Sequence, residues 1–194
     1  MLFGAGDVIV RAASEADRPA LAAFCRTNPA YDLFLTGALP DEVAWVEDFL
    51  SDLPPAAFNP GETHKLIAVR PDEPDRILAI IDVTEDMIAP GVGHIGLFQV
   101  AERLQGTGLA HALYLGLEAW LEDRGMDVIR LGVLDGNPRG AAFWARHGYR
   151  ETRTRQGVAP TGKVHLSHVL YKPLAPRGLD ASRARGPRDD PASP

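Results

Sequence analysis

The sequence predicts an α/β protein built on a mixed sheet, and three observations carry that prediction. Short β-branched stretches and amphipathic ones follow each other as strand, two helices, three strands, helix, strand, helix, two strands. The hydrophobic period changes from two to about 3.6 after Val100, the helical value. The stretch "DVIRLGVL", Asp127 to Leu134, is nearly continuous in apolar residues, the pattern of a strand buried on both faces. A strand–helix–strand unit in the middle of the chain is expected to be a right-handed parallel crossover.

Each element has its own signal. "DVIVRAA" (Asp7 to Ala13) alternates and is β-branched, a strand. Ser14 starts a helix, with Asp17 three residues on as a near capping box and Ala16, Ala20, Leu21 and Phe24 at helical spacing. "NPAYDLFLTG" reads as a loop or a short helix. "PDEVAWVEDFLSDL" places Val43, Val46, Phe49, Leu50 and Leu53 on one face of a second helix, and the proline-rich "PPAAFNPGET" ends it. "HKLIAVR" and "RILAIIDVT" are two strands joined through "PDEPD", and "GHIGLFQVAE" is a fourth. Leu109, Leu113, Leu117 and Trp120, with Ala112 and Gly116, form one helix face that Gly125 caps. "NPRGAAFWARHGY" opens a last helix with Asn137 as N-cap and Pro138 at the first helical position. "YRETRTRQ" and "VHLSHVLYKPL" alternate as the last two strands. From Pro176 the chain is dense in Pro, Arg, Gly and Asp, lacks aromatics, and is expected to be a disordered tail, 176–194.

The gross numbers narrow the function classes. With 194 residues, one domain and a tail are expected. The net charge of −6 argues against nonspecific nucleic-acid binding. No apolar run reaches the roughly 18 residues of a membrane helix, so no membrane partner is expected. The N-terminal segment has no basic region followed by an apolar stretch, and a cytoplasmic location follows as an expectation. The single Cys25 excludes an internal disulfide and a cysteine metal cluster; it sits beside the apolar stripe of the first helix, a core position.

"RLQGTG", Arg103 to Gly108, stands where a strand ends and a helix begins. A helix start offers unpaired backbone N–H groups and a partial positive charge, and glycines keep side chains off them. Such a loop seats a phosphate. No lysine follows Gly108, which removes the P-loop reading. In a dinucleotide fingerprint His111 would occupy the third small-residue position, and the loop comes after four predicted strands, late for that fold. Two readings stay open from the residues alone: an R/Q-x-x-G-x-G/A phosphate loop, or a tight turn with no ligand.

Three stretches in order, "VIVRAASEADRPAL", "HIGLFQVAERLQGTGLAHALYLGLEAW" and "IRLGVLDGNPRGAAFWARHGY", resemble the GNAT family of acyl-CoA-dependent N-acetyltransferases. The resemblance covers about Val8 to Leu174. It implies a GNAT fold over 7–175: α/β (α+β), a mixed, mostly antiparallel seven-stranded sheet with a central parallel, splayed strand pair, flanked by about four helices. It implies acetyl-CoA as cosubstrate, with the pyrophosphate on the amides of Gln105, Gly106, Thr107, Gly108, Leu109 and Ala110. It also implies pantetheine along the fourth strand, and the thioester carbonyl near the N–H of Val100, or of Phe98 in the neighbouring register. That amide would stabilise an oxyanion.

A free alkylamine has a pKa of roughly 10, so acetylation needs a base. Family members carry a glutamate six residues before the valine that precedes the loop, and here that position is His94, a residue type whose ordinary titration near neutrality suits the role. The alternative is a strand-end histidine exposed to solvent or bonded to backbone. Asp82 and Glu85 are backup carboxylates. Where the family has a tyrosine acid in the last helix, this chain has Trp144, which packs against the cofactor's thiol end or is plain core. Tyr149 matches the family's final aromatic, a core position, and Tyr114 falls on the helix side away from the core face, where it is a further candidate acid. Asn137 caps its helix and, by the resemblance, touches pantetheine. Arg146, on the same helix, is within reach of a phosphate or does nothing specific. His165 and His168 cannot share a strand face, have no nearby carboxylate pattern, and no metal site is expected.

The expected activity is transfer of acetyl from acetyl-CoA to a primary amine of a small molecule by direct attack. Thr27 to Pro60, with Tyr31, Asp32, Phe34, Asp41, Glu42 and Trp45, would line a site for a cationic acceptor together with the last strands. A protein or peptide N-terminus is the alternative acceptor, and a non-catalytic acyl-CoA sensor the rival from another class. The resemblance also allows for a homodimer.

Overall fold

The computed structural model describes residues 1–158 and 162–174. Its strands are β1 (Phe3–Ala5), β2 (Val8–Ala12), β3 (Thr63–Val69), β4 (Ala79–Thr84), β5 (Val92–Val100), β6 (Val128–Leu134), β7 (Arg150–Val158) and β8 (Val164–Pro173). Its helices are α1 (Arg18–Thr27), α2 (Ala30–Thr36), α3 (Glu42–Ser51), α4 (Leu109–Asp123) and α5 (Pro138–Arg146). The strands form one mixed, mostly antiparallel sheet in the order β1-β2-β3-β4-β5-β6-β8-β7. Its parallel pair is β5 and β6, aligned from Val92↔Val128 to Ile95↔Leu131. Among the described residues the expected seven strands are thus eight, and the expected helices, about four, are five. The additions are β1, paired to β2 through the two-residue Gly6-Asp7 connection with Gly6 at φ 66°, and α2, which resolves the loop-or-helix alternative at "NPAYDLFLTG". The expected tail at 176–194 lies outside the described residues.

The chain divides into two compact units. The first comprises Met1–Leu53, Thr63–Val83 and Leu97–Leu121. Its core joins Leu21 and Phe24 of α1, Val46 and Phe49 of α3, Ile67 and Val69 of β3, Ile77, Ile80 of β4, and Ala101. Asp17 organises the entry to α1: it accepts the N–H and the hydroxyl of Ser14, both at 2.8 Å, and two guanidinium bonds from Arg11 at 2.8 and 2.6 Å. A 3-10 turn, Glu15–Asp17, precedes the helix proper. In α3 only Val46 and Phe49 are buried; Val43 is 78% exposed and Leu53 projects beyond the helix end, so the five-residue apolar face read from sequence is too wide. In α4 the buried stripe is Leu113, Tyr114, Leu117 and Leu121. Tyr114 is fully buried, not on the outer side, and its hydroxyl donates to Glu118.

The second unit comprises Pro54–Glu62, Thr84–Gly96 and the chain from Glu122 on. β6 pairs β8 antiparallel over seven residues, and β8 pairs β7. Val92, Val128, Val169 and Tyr171 form its core cluster. Gly125 takes φ 83° at the end of α4, as its cap role requires.

Candidate active site

In the first unit β5 delivers the chain into a 3-10 turn, Glu102–Leu104, and then into the glycine loop. Gly106 and Gly108 take φ 83° and 93°, a region that costs L-residues about 1–2 kcal/mol. A Cβ on Gly108 would meet nothing within 4 Å. Backbone conformation, not crowding, therefore requires this glycine, and the space over it is open. Thr107 closes the turn: its hydroxyl donates to Leu104 O at 2.7 Å and its N–H to the same oxygen at 3.3 Å. Gln105 through Gly108 are exposed, Leu109 and Ala110 half-buried. The loop thus stands exposed at the start of the 15-residue α4, a placement that suits a phosphate, with the N–H of Leu109 3.5 Å from Thr107 Oγ1. Phe98 is half-buried and Val100 buried on β5.

Asn28 anchors this region, a role that sequence reading missed because the residue precedes a proline in a loop-like stretch. It is buried; its Oδ1 accepts the N–H of Glu102 at 2.6 Å, and its Nδ2 donates to Phe24 O at 2.7 Å. Its carbonyl accepts from Gln99 Nε2 at 3.2 Å, and Glu102 in turn accepts the N–H of Ala30 at 2.8 Å.

The acceptor segment in the same unit is acidic and aromatic. Trp45 stacks on Phe49 and Phe24, with centroids at 5.8 and 6.5 Å. Burial raises the carboxyl pKa of Asp32, against a hydrogen bond from Trp45, and burial likewise raises the phenol of Tyr31. Glu42 is paired with Arg26 at 2.6 Å, and Asp41 caps α3 through Ala44 N–H at 2.9 Å. Cys25 is core, its thiol pushed up to about 11 mainly by burial. Asp82 pairs with Lys65 at 2.9 Å, yet burial outweighs that partner and raises its pKa.

In the second unit His94 sits half-buried on β5, its Nδ1 3.1 Å from Arg130 O and 3.3 Å from the Arg130 guanidinium. The backbone-bonded alternative for His94 is thus real at one ring nitrogen. Glu85 is buried and accepts from Arg124, which also pairs with Glu62 at 3.2 Å. Asn137 caps α5 as expected, accepting the N–H of Gly140 at 2.9 Å. Trp144 is buried, edge-on to Phe143 and Tyr149 at 4.9 and 5.1 Å. His168 does have carboxylates, which sequence spacing concealed: its Nδ1 is 3.0 Å from Glu151 on β7 and its Nε2 3.5 Å from Asp135. Among the described residues no helix is long and apolar enough to cross a membrane.

Comparison with known proteins adds an independent line. The model of the family described as "Acetyltransferase (GNAT) family" matches residues 21–149. No curated protein matches. Among solved structures, the ribosomal-protein-S18-alanine N-acetyltransferase of Escherichia coli is 17% identical. It superposes with a TM-score of 0.61, covering 89% of this chain and 99% of that one. An acetyltransferase from Thermus thermophilus gives 0.62 at 18% identity, covering 86% and 96%. A GCN5-related N-acetyltransferase from Kribbella flavida gives 0.59 at 25%, covering 87% and 98%.

Proposed function

From the premise that this chain belongs to the GNAT acetyltransferase family, we propose that it transfers acetyl from acetyl-CoA to a primary amine of a cationic small molecule. The observation that carries this is the exposed loop at the start of α4 with two left-handed glycines. When bound, acetyl-CoA supplies an acyl group activated as a thioester. Gln105 to Ala110 hold its pyrophosphate, and the N–H of Val100, with Phe98 beside it on β5, faces the acyl oxygen. Asn137 and Trp144 line the pantetheine end. His94 takes the ammonium proton, directly or through water. Trp144 cannot serve as an acid, but a thiol with a pKa of about 8.5 leaves tolerably as thiolate, with water supplying the proton. The high pKa of Cys25 supports direct attack over a covalent enzyme intermediate. Asp32, half-buried among aromatics, supports a cationic acceptor.

Calorimetric titration of acetyl-CoA tests the seat, with Gly106→Glu expected to abolish binding at a stability cost of about 1–2 kcal/mol, which thermal unfolding of the variant reads separately. Absence of binding to well-folded wild type overturns the reading. Thiol release is then followed with small polyamines and with peptides bearing free N-termini. Turnover only with peptides would reassign the acceptor, and binding without turnover by any amine would favour the sensor.

A further inference from the structure

Asp32 is half-buried on α2, and among the described residues no lysine or arginine pairs with its carboxylate. Other carboxylates of the same segment are engaged: Glu42 pairs with Arg26 at 2.6 Å, Glu47 with Arg18 at 2.9 Å, and Asp41 caps α3. Asp32 instead takes a hydrogen bond from Trp45, whose ring stacks with Phe49 and Phe24. A neutral donor offsets the desolvation of a carboxylate less than a cation does, and burial leaves the carboxyl pKa raised. A carboxylate in the first turn of a helix is favoured by the helix dipole, but that role asks for neither burial nor a tryptophan donor. A desolvated carboxylate of this kind is suited to a ligand that brings the missing positive charge.

Hydrogen bonds set the start of α2 against the end of β5. Gln99 Nε2 donates to the Asn28 carbonyl at 3.2 Å, Asn28 Oδ1 takes the Glu102 N–H at 2.6 Å, and the Glu102 carboxylate takes the N–H of Ala30 at 2.8 Å. Val100, whose N–H faces the acyl oxygen in the reading above, lies between Gln99 and Glu102. Asp32 follows Ala30 by two residues in the same helix, roughly 3 Å along its axis. The nitrogen that attacks a thioester needs its lone pair, and a carboxylate against that nitrogen would favour the ammonium form instead. Asp32 therefore suits a cationic group other than the reacting amine, at the far end of the same acceptor.

We infer that Asp32 determines acceptor specificity: it pairs with the non-reacting end of a diamine, an aliphatic chain with an ammonium at one end and the nucleophilic amine at the other. The use of this pairing in turnover rests on the acetyl-transfer reading above; the pairing itself does not.

Two measurements separate the pairing from the reaction. Indole N–H resonances of the full chain, with Trp45 identified by Trp45→Phe, are followed as putrescine is added in the presence of coenzyme A. The Trp45 signal shifts saturably in the wild type and stays in place in Asp32→Asn, while thermal unfolding shows that the variant keeps its fold. In turnover with acetyl-CoA, the wild type has a kcat/KM for putrescine about tenfold above that for butylamine, the monoamine of equal length. Asp32→Asn closes this gap through KM for putrescine, and Asp32→Glu, which keeps the charge, retains part of it. A Trp45 signal unmoved by putrescine overturns the proposal, as does an equal kcat/KM for the two amines in the wild type, even where acetyl transfer stands. A fall in kcat without a rise in KM in Asp32→Asn also overturns it, because that assigns Asp32 to proton transfer. A saturable shift lost in Asp32→Asn, without turnover of any amine, supports the pairing and overturns the transfer.

Discussion

Asn28 and Glu102 are joined across 74 residues of sequence: Asn28 Oδ1 takes the Glu102 N–H at 2.6 Å, and the Glu102 carboxylate takes the N–H of Ala30, two residues beyond Asn28, at 2.8 Å. The pair fixes the turn that feeds the glycine loop to the junction of α1 and α2. Asn28→Ala leaves a part-buried N–H without its acceptor and is expected to cost about 1–3 kcal/mol. Urea denaturation measures this, and the same variant binds acetyl-CoA more weakly. Unchanged stability would show that water replaces the side chain.

Gly108→Ala isolates backbone strain, since the added methyl meets no neighbour within 4 Å. At φ 93° the substitution is expected to cost about 1–2 kcal/mol. Relaxation of that strain moves the loop amides, so acetyl-CoA affinity falls, more gently than for the charge introduced by Gly106→Glu. Calorimetry of both variants beside thermal unfolding gives the comparison.

Acid stability should depend on Asp17. The bidentate Arg11 bond, with Ser14 as second donor, holds its carboxyl at about 2, below the ordinary 3.8. A lowered carboxylate pKa stabilises the fold above the unfolded value and loses that contribution as pH falls from about 4 through 2. The contribution is about 2 kcal/mol at neutral pH. Arg11→Met should flatten stability against pH in that window, and denaturant midpoints from pH 5 to pH 2 measure it.

The opposite sign holds for His168. Its bond to Glu151, then that to Asp135, raises its pKa above 6.5. The stabilisation is complete below 6.5 and is lost as pH rises through the folded value. As pH rises above 6.5, wild type should lose stability more steeply than His168→Gln. An NMR titration of His168 indistinguishable from that of a free histidine would refute the pairing.

Cys25 is expected to resist iodoacetamide in the native state at pH 7.5, because its thiol is buried and shifted up to about 11. Cys25→Ala should keep turnover, which excludes an acyl-cysteine route.

Much of this was legible in the sequence. Alternation and β-branching located seven strands, and "GTG" before a helical period located the loop. "NP" located the α5 cap. What escaped was set by packing. The stripe of α4 can be drawn through Leu109 and Trp120 or through Tyr114 and Leu121 at the same period; only the surface it meets chooses the second. Val43 keeps helical phase with Val46, but a helix lying on one layer buries a narrower stripe than its apolar residues span. The carboxylates of His168 come from positions 17 and 33 residues away, joined by strand register that no local spacing encodes. Arg130 lies within the run read as nearly continuous in apolar residues, and its contacts to His94 and Tyr171 on the flanking strands have no local signal. The Gly-Asp hairpin that builds β1 was readable and lay in a segment too short to claim a strand.

The short β1 has a consequence for anyone who shortens this protein. It pairs along β2 from Phe3↔Val10 to Ala5↔Val8, and it packs against α4 so closely that a Cβ on Gly116 would come within 2.7 Å of the Phe3 ring. Trimming the first six residues would strip the cover from Val8–Ala12 and leave a β-branched edge with unsatisfied amides, a template for intermolecular pairing. Such a trimmed protein would fail through insolubility at working concentrations before any loss of chemistry could be measured.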